Sequence, residues 1–363
     1  METQSIKLWK ITNWLIVLSI LFLILIYFKS LIEPLILSLF IWYLISAFKK
    51  NIGRISFKGR FMPKWLQSIT AFLITFSVLW GIWEMLVLNV ELIIEKSAEY
   101  NQNIQGMVSA IGKIPYIENI PGVEDIDNFI MQNLSGIDIK NYIAMVINGF
   151  SSVVGNLALI IIYVIFLLIE ETFMPQKFEK LFRSKNGKSK ILGIYQEITK
   201  SINTYFTVKT SMSLLTAVIS YIILILFKVD FAILWSFLIF LFNYIPYVGS
   251  LIATLLPALF SIFQFASFWP FLWIFIAIET VQLFVGNYIE PKIMGKTLNL
   301  SPLFVIVSLS FWASIWGIVG MILSVPIVSV IVIILSYFPA SRNIAIIFSE
   351  KGQIINGSNV ENE

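Results

Sequence analysis

FAILWSFLIFLFNYIPYVGSLIATLLPALFSIFQF, Phe231 to Phe265, carries no charged side chain. The apolar character continues through Trp269 to Ile289 and Leu303 to Phe338, interrupted chiefly by Pro246, Pro257, Pro270, Pro291, Pro302 and Pro326. A bilayer core about 30 Å thick is crossed by about 20 apolar residues in a helix, so this stretch is too long for two helices. It divides into three spans, the first broken at Pro246 to Gly249 and the last also broken or tilted.

Working outward, Ile11–Phe28, Leu31–Phe48, Leu66–Val90, Ser152–Ile169 and Val208–Phe227 have the same character. The expectation is an all-α polytopic membrane protein of about eight transmembrane helices, some broken. Composition agrees: 58% of the 363 residues are apolar and 13% charged, against roughly 45–50% and about 25% in soluble domains. The chain has no His and no Cys. That excludes imidazole-ligated haem, HExxH zinc proteases, Ser-His dyads, disulfides and thiolate chemistry. No GxxxxGK[ST] motif occurs, so direct ATP drive is unsupported. No metal, cofactor, nucleic-acid partner or enzymatic activity is expected. Transport, channel or scaffold work remains.

Lys and Arg in short loops mark the cytoplasmic side. Lys49, Lys50, Arg54, Lys58, Arg60 and Lys64 follow the second span, and Lys177, Lys180, Arg183, Lys185, Lys188, Lys190 and Lys200 follow the fourth. Glu91 to Phe150 is acidic, with Glu91, Glu95, Glu99, Glu118, Glu124, Asp125, Asp127 and Asp138, and belongs outside. Both termini then fall in the cytoplasm, and no cleavable signal peptide is read. Within the outer segment, Leu92, Ile93, Ala98, Ile104, Met107, Val108 and Ile111 recur at helical spacing, as do Ile126, Phe129, Ile130, Leu134 and Ile137. These predict two amphipathic helices, packed on the protein's own helices more readily than on anionic lipid, which the acidic face would repel. The chain divides into spans one to three (1–90), the outer amphipathic segment (91–150), span four (151–169), a basic inner connector (170–207), a C-terminal transport core of spans five to eight (208–338) and an inner tail (339–363).

Ionisable residues inside a span are costly and point to function. Glu33 and Glu84 sit near interfaces, where water reaches them. Glu279 lies mid-span in IAIETVQLFVGNYIEP, and at 100° per residue Gln282, Asn287 and Glu290 fall about 60°, 80° and 20° from it. The stripe predicts a face toward the bundle interior or an aqueous path, with a structural hydrogen-bond network as the alternative. In FNYIPYVGSLIATLLPA (Phe242–Ala258), Pro246 removes a backbone donor and Gly249 admits conformations closed to other residues. The freed groups, with Asn243 and Tyr247 beside them and Pro257 further along, suit a binding break or gate as well as a packing kink. In SIWGIVGMILSVPIVS (Ser314–Ser329), Gly317 and Gly320 open one flank for close helix packing and Pro326 bends the helix, with a gating hinge as the lesser reading. Ser213, Thr216 and Ser220 share one face of span five and either line a pore or bond a neighbouring helix.

The order IPYVGS, then EPKIMGKTLNLSPL (Glu290–Leu303), then WGIVGMILSVPI (Trp316–Ile327) resembles the C-terminal half of the autoinducer-2 exporter family of permeases, the PerM-like family. The outline of length and spans is similar over the whole chain. The matching positions are Pro246, Tyr247, Gly249, Glu290, Pro291, Gly295, Pro302, Gly317, Gly320 and Pro326. Where many relatives carry His before the Pro of the SPL step, this chain has Ser301, so any proton handling would fall to Glu279 or Glu290. The resemblance implies a multi-pass permease of the bacterial inner membrane and a homo-oligomer, a pentamer with one path per subunit. It further implies export of a small polar solute such as autoinducer-2, or exchange of sodium or lithium for protons. A non-transporting envelope scaffold, with the outer helices as its partner surface, is the third reading.

Overall fold

The computed structural model describes residues 2–53, 56–57, 60–111, 155–181, 185–295, 299–350 and 352. Among these the chain is almost wholly helical: α1 (Glu2–Tyr27), α2 (Lys29–Ile52), α3 (Lys64–Ile111), α4 (Leu157–Leu181), α5 (Lys185–Leu226), α6 (Ala232–Phe242), α7 (Val248–Phe265), α8 (Phe268–Phe284), a π-turn (Val285–Ile289), α9 (Glu290–Met294), α10 (Pro302–Ser336) and α11 (Arg342–Phe348). The exception is a two-stranded ribbon in the first basic loop, β1 (Ser56–Phe57) paired antiparallel with β2 (Arg60–Phe61). Among the described residues seven stretches are long and apolar enough to cross a membrane, in α2, α3, α4, α5, α7, α8 to Met294, and α10; Leu15–Tyr27 and α6 are shorter apolar helices. Leu73, Trp80, Phe166, Trp269, Trp273 and Leu283 project outward, exposed, as lipid-facing residues must.

α2 and α4 run parallel and pack against each other, and α3 packs antiparallel against α2. Ile45, Ala71, Ile160 and Val164 form their shared core. Glu171 of α4 accepts from the Trp42 indole N–H (3.1 Å) and the Ser46 hydroxyl (3.4 Å) and pairs with Lys49 (3.5 Å). Both basic loops therefore lie at one end of the bundle. At 1.5 Å per residue the 48 residues of α3 extend about 72 Å, more than twice a bilayer core. The first outer amphipathic helix is thus the unbroken continuation of span three. The second, Ile126 to Ile137, lies outside the described residues.

The sixth and eighth expected spans are corrected, because each folds back on itself. α6 and α7 lie antiparallel: the Asp230 amide donates to Gln264 Oε1 (2.8 Å) at their base, the Trp235 and Phe260 rings stand 5.2 Å apart, and Ile239 shares a core with Ala253. With 11 residues, α6 is about 16 Å long and stops at the turn Asn243–Tyr247. α10 turns at Gly317, whose φ of 58° and ψ of −134° are not helical. The Ser308 hydroxyl donates to the Ser324 carbonyl at 3.2 Å, a pair about 24 Å apart in a straight helix. Hairpin one (α6–α7) starts and ends at the acidic end of the bundle, beside the α3 extension. Hairpin two (the limbs of α10) starts and ends at the basic end, and its tip reaches the acidic end, where Trp316 donates its indole N–H to the Leu25 carbonyl (3.2 Å). Since hairpin one does not cross, α8 runs back toward the basic end and brings Lys292 to the side of the other cations.

Candidate functional site

α5 is the spine against which both hairpins and α8 pack. Toward its basic end the Tyr337 hydroxyl donates to Glu197 Oε2 (2.7 Å), and Ser201 and Ser329 share a hydrogen bond (2.9 Å). Midway, Thr210 bonds the Tyr244 hydroxyl at the tip of hairpin one (2.7 Å), and Tyr43 of α2 bonds Thr207 (2.8 Å). Tyr205, Phe206, Tyr244, Val305 and Val325 close this middle layer, with the Phe40 and Tyr244 rings edge-to-face at 5.9 Å. Nearer the acidic end, Leu224 packs with Ile274 and Ile278.

α5 and α8 run antiparallel. Met212 meets Val285, and Lys209 Nζ lies 2.7 Å from Glu290 Oε1. That register puts Ser220 at the level of Glu279, and Ser213 and Thr216 beside Gln282. Thr216 is satisfied by the Met212 carbonyl (2.9 Å). Ser213 Oγ, Ser220 Oγ, Glu279 Oε2, Gln282 Nε2 and the Tyr205 hydroxyl are buried with no hydrogen-bond partner among the described residues. Native interiors leave few such groups, because each costs about 1–3 kcal/mol. All five lie on α5 and α8. Ser213, Ser220, Glu279 and Gln282 offer a ligand one carboxylate oxygen, one amide donor and two hydroxyls, whereas Tyr205 lies about 22 Å along α5 from Ser220, in the middle layer.

The structure thus brings Glu279 and Gln282 together and adds Ser213 and Ser220. It does not bring Asn287 with them: Asn287 is exposed, while the packed face of α8 runs Ile274, Ile278, Gln282, Val285. Glu290 is turned away from the line of Glu279 onto Lys209 by the π-turn. Asn243 is half-buried at the tip of hairpin one, and its backbone N–H donates to the Ile239 carbonyl (3.1 Å). Sequence reasoning passed over Lys209, although a cation within the first residues of an apolar span is itself a signal.

The break residues divide by role. At Pro246–Tyr247 the Val248 amide donates to the Pro246 carbonyl (2.6 Å) across Tyr247, which holds φ 59° and ψ −58°, a tight γ-turn of the strained hand. A Cβ on Gly249 would lie 1.9 Å from the Phe242 carbonyl oxygen, and one on Gly320 2.0 Å from that of Trp312. Each glycine thus lets one limb lie against the other. Gly317 is the turn itself rather than a packing flank. Pro257 and Pro326 are buried inside limbs, so neither forms a tip. Pro291 opens α9 and Gly295 closes it at φ 59°, both exposed.

The family model described as AI-2E family transporter matches residues 15–340. A Haemophilus influenzae protein named as a candidate transport protein is 30% identical over 322 residues, 88% of this chain and 90% of its own. The AI-2 transport protein TqsA of Escherichia coli is 32% identical over 229 residues, 63% of this chain and 64% of its own. The same bacterium's YhhT, also named as a candidate transport protein, is 31% identical over 201 residues, 55% and 56% of the two chains. An all-helical membrane bundle, paired hairpins on a polar spine and a match along nearly its whole length make this chain a multi-pass membrane transporter of the AI-2E family.

Proposed function

We propose that the protein exports a small polar solute along the α5–α8 seam, with Glu279, Gln282, Ser213 and Ser220 as its polar contacts and the tip of hairpin one, Asn243 to Tyr247, at the side of the path. The observation that carries this reading is the concentration of orphaned buried polar atoms on two facing helices. Apolar helices alone would pack without them, and each is a group that a passing ligand can satisfy. The name of the TqsA relative makes autoinducer-2 the first solute to try. The basic end is read as cytoplasmic, in the bacterial inner membrane, with both termini on that side.

Sodium or lithium exchange for protons is the second reading, favoured by the hard oxygen donors of Glu279, Ser213 and Ser220. Proteoliposomes loaded with autoinducer-2 separate the two. Solute export predicts efflux that Glu279→Gln slows by at least about tenfold, a barrier raised by about 1.4 kcal/mol. If efflux is absent while sodium gradients drive proton movement, the second reading replaces the first. Equal rates in wild type and Glu279→Gln would remove the carboxylate from the path.

A further inference from the structure

We propose that Lys209 is a positioning residue for transport: with the π-turn formed it holds Glu290 in the α5 seam, and the cycle proceeds by relaxation of that turn, which swings Glu290 onto the line of Glu279. The inference rests on reading the α5–α8 seam as the path.

Three observations converge. In a regular helix Glu290 would lie about 20° from Glu279 around α8. The π-turn Val285–Ile289 inserts one residue and withholds about 100° of rotation, and this aims Glu290 at α5. There it meets Lys209 at 2.7 Å, the two side chains only 13% and 18% exposed for Lys209 and Glu290. A pair this sheltered from water is expensive to leave half-made, so it biases the helix toward the register that forms it. The outer side of the turn is unencumbered: Gly286, Asn287 and Tyr288 are exposed, and nothing lies within 4 Å of where a Gly286 Cβ would be. A change of register there meets no obstacle on that outer side, while Ile289 and Met294, packed on the Val208–Met212 core, would have to shift with it. On the inner side the turn is held by Val285 in the Val208–Met212 core and by the ion pair. The two registers also differ in what the seam presents. In the observed one Glu279 is the one carboxylate on its line of α8, with Oε2 unpartnered; in the other a second carboxylate joins its line and Lys209 is released. Two arrangements of one helix, distinguished by an ion pair, form a bistable element.

The absence of cysteine makes introduced thiols unique. Val218→Cys and Tyr288→Cys, both at exposed positions, carry nitroxide labels in reconstituted protein. Two distance populations are expected, with their ratio shifted by Lys209→Met and restored by Lys209→Arg. One population, unchanged by Lys209→Met, overturns the switch whatever the transported solute. In the second arm, Met212→Cys with Val285→Cys, joined by a reducible bifunctional thiol reagent, pins the turn to α5 and leaves Lys209 and Glu290 intact. Autoinducer-2 efflux should fall by at least about tenfold and recover on reduction. Cross-linked protein that exports as fast as reduced protein defeats the proposal. Glu279→Gln tests the path alone, so a failed path and a failed switch give different results.

Discussion

Hairpin one and hairpin two solve the same geometric problem by different means. Hairpin one separates its limbs with the five-residue turn Asn243–Tyr247, using Pro246 to end α6 and the γ-turn at Tyr247 to reverse direction. Hairpin two reverses at the single residue Gly317, with hydrogen-bonded helix on either side. Both then place a glycine three residues or less past the turn, Gly249 and Gly320, where a limb meets a backbone carbonyl of the other limb. The contrast shows that close approach of the limbs is the shared requirement, whereas the chemistry of the reversal is free to vary.

The largest effects are expected at those glycines. Gly249→Ala and Gly320→Ala would each drive a methyl group into a carbonyl oxygen belonging to backbone, which cannot move aside as a side-chain end can. Overpacking in a dense interior costs about 1–3 kcal/mol, occasionally more. With approaches of 1.9 and 2.0 Å both variants belong at or above the top of that range, and thermal unfolding in detergent should show large, similar losses. If only one variant is destabilised, the limbs of the other hairpin part easily, and the shared requirement fails.

The hairpins differ at their bases as well. Hairpin one is clamped from outside by α3. Asp230 accepts from Lys96 Nζ (2.7 Å) and the Tyr100 hydroxyl (2.8 Å), and the Asn103 amide donates to the carbonyls of Phe263 (3.1 Å) and Gln264 (3.0 Å). Hairpin two is strapped by the chain's own C-terminal segment. The Ser301 amide donates to the Phe348 carbonyl (2.9 Å), and the Phe304 and Phe348 rings stack at 4.2 Å. Asp230→Ala should cost roughly 1–2 kcal/mol, below the full value of a charged hydrogen-bond pair because Lys96 is 41% exposed. Hydrogen exchange should rise at the base of hairpin one and stay unchanged in Pro302–Ser336. Exchange rising equally in both would show the hairpins to be coupled through α5 rather than anchored separately.

What was legible in the sequence follows the same division. Pro246 and Gly249 announced a break because proline removes a donor and crowds the preceding turn, and this effect is local. That the break reverses the chain is a matter of pairing between Trp235 and Phe260 or Ile239 and Ala253, which no local rule contains. Gly317 and Gly320 suggest packing because glycines three apart on an apolar helix usually serve that end, and a one-residue turn leaves the apolar run intact on both sides. The burial of Gln282 on the packed face of α8, with Glu279 at its edge, was legible because a regular helix holds from Phe268 to Phe284. The grouping with Asn287 and Glu290 was not, for two physical reasons. A stripe reaching from 60° on one side to 80° on the other is wider than the face α5 covers. Beyond Phe284 the π-turn also changes the angle per residue, and VGNYI carries no proline to announce it.

The smallest expected effect sharpens the comparison of tips. Tyr247 holds a positive φ that costs a non-glycine residue about 1–3 kcal/mol, while its side chain is 57% exposed and adds little packing to offset that. Tyr247→Gly removes the strain but adds chain freedom to the unfolded state, worth about 0.5–1 kcal/mol against folding. The strain term equals or exceeds the entropy term, so the unfolding midpoint should stay level or rise. Gly317→Ala runs in the opposite sense: nothing lies within 4 Å of the new methyl, so any loss reports backbone strain alone and should be about 1–3 kcal/mol. A marked loss in Tyr247→Gly would mean that the phenol ring, not the backbone, holds the tip of hairpin one. The reversal at Pro246–Tyr247 would then depend on what the ring touches, and the two tips would differ in kind rather than in residue type.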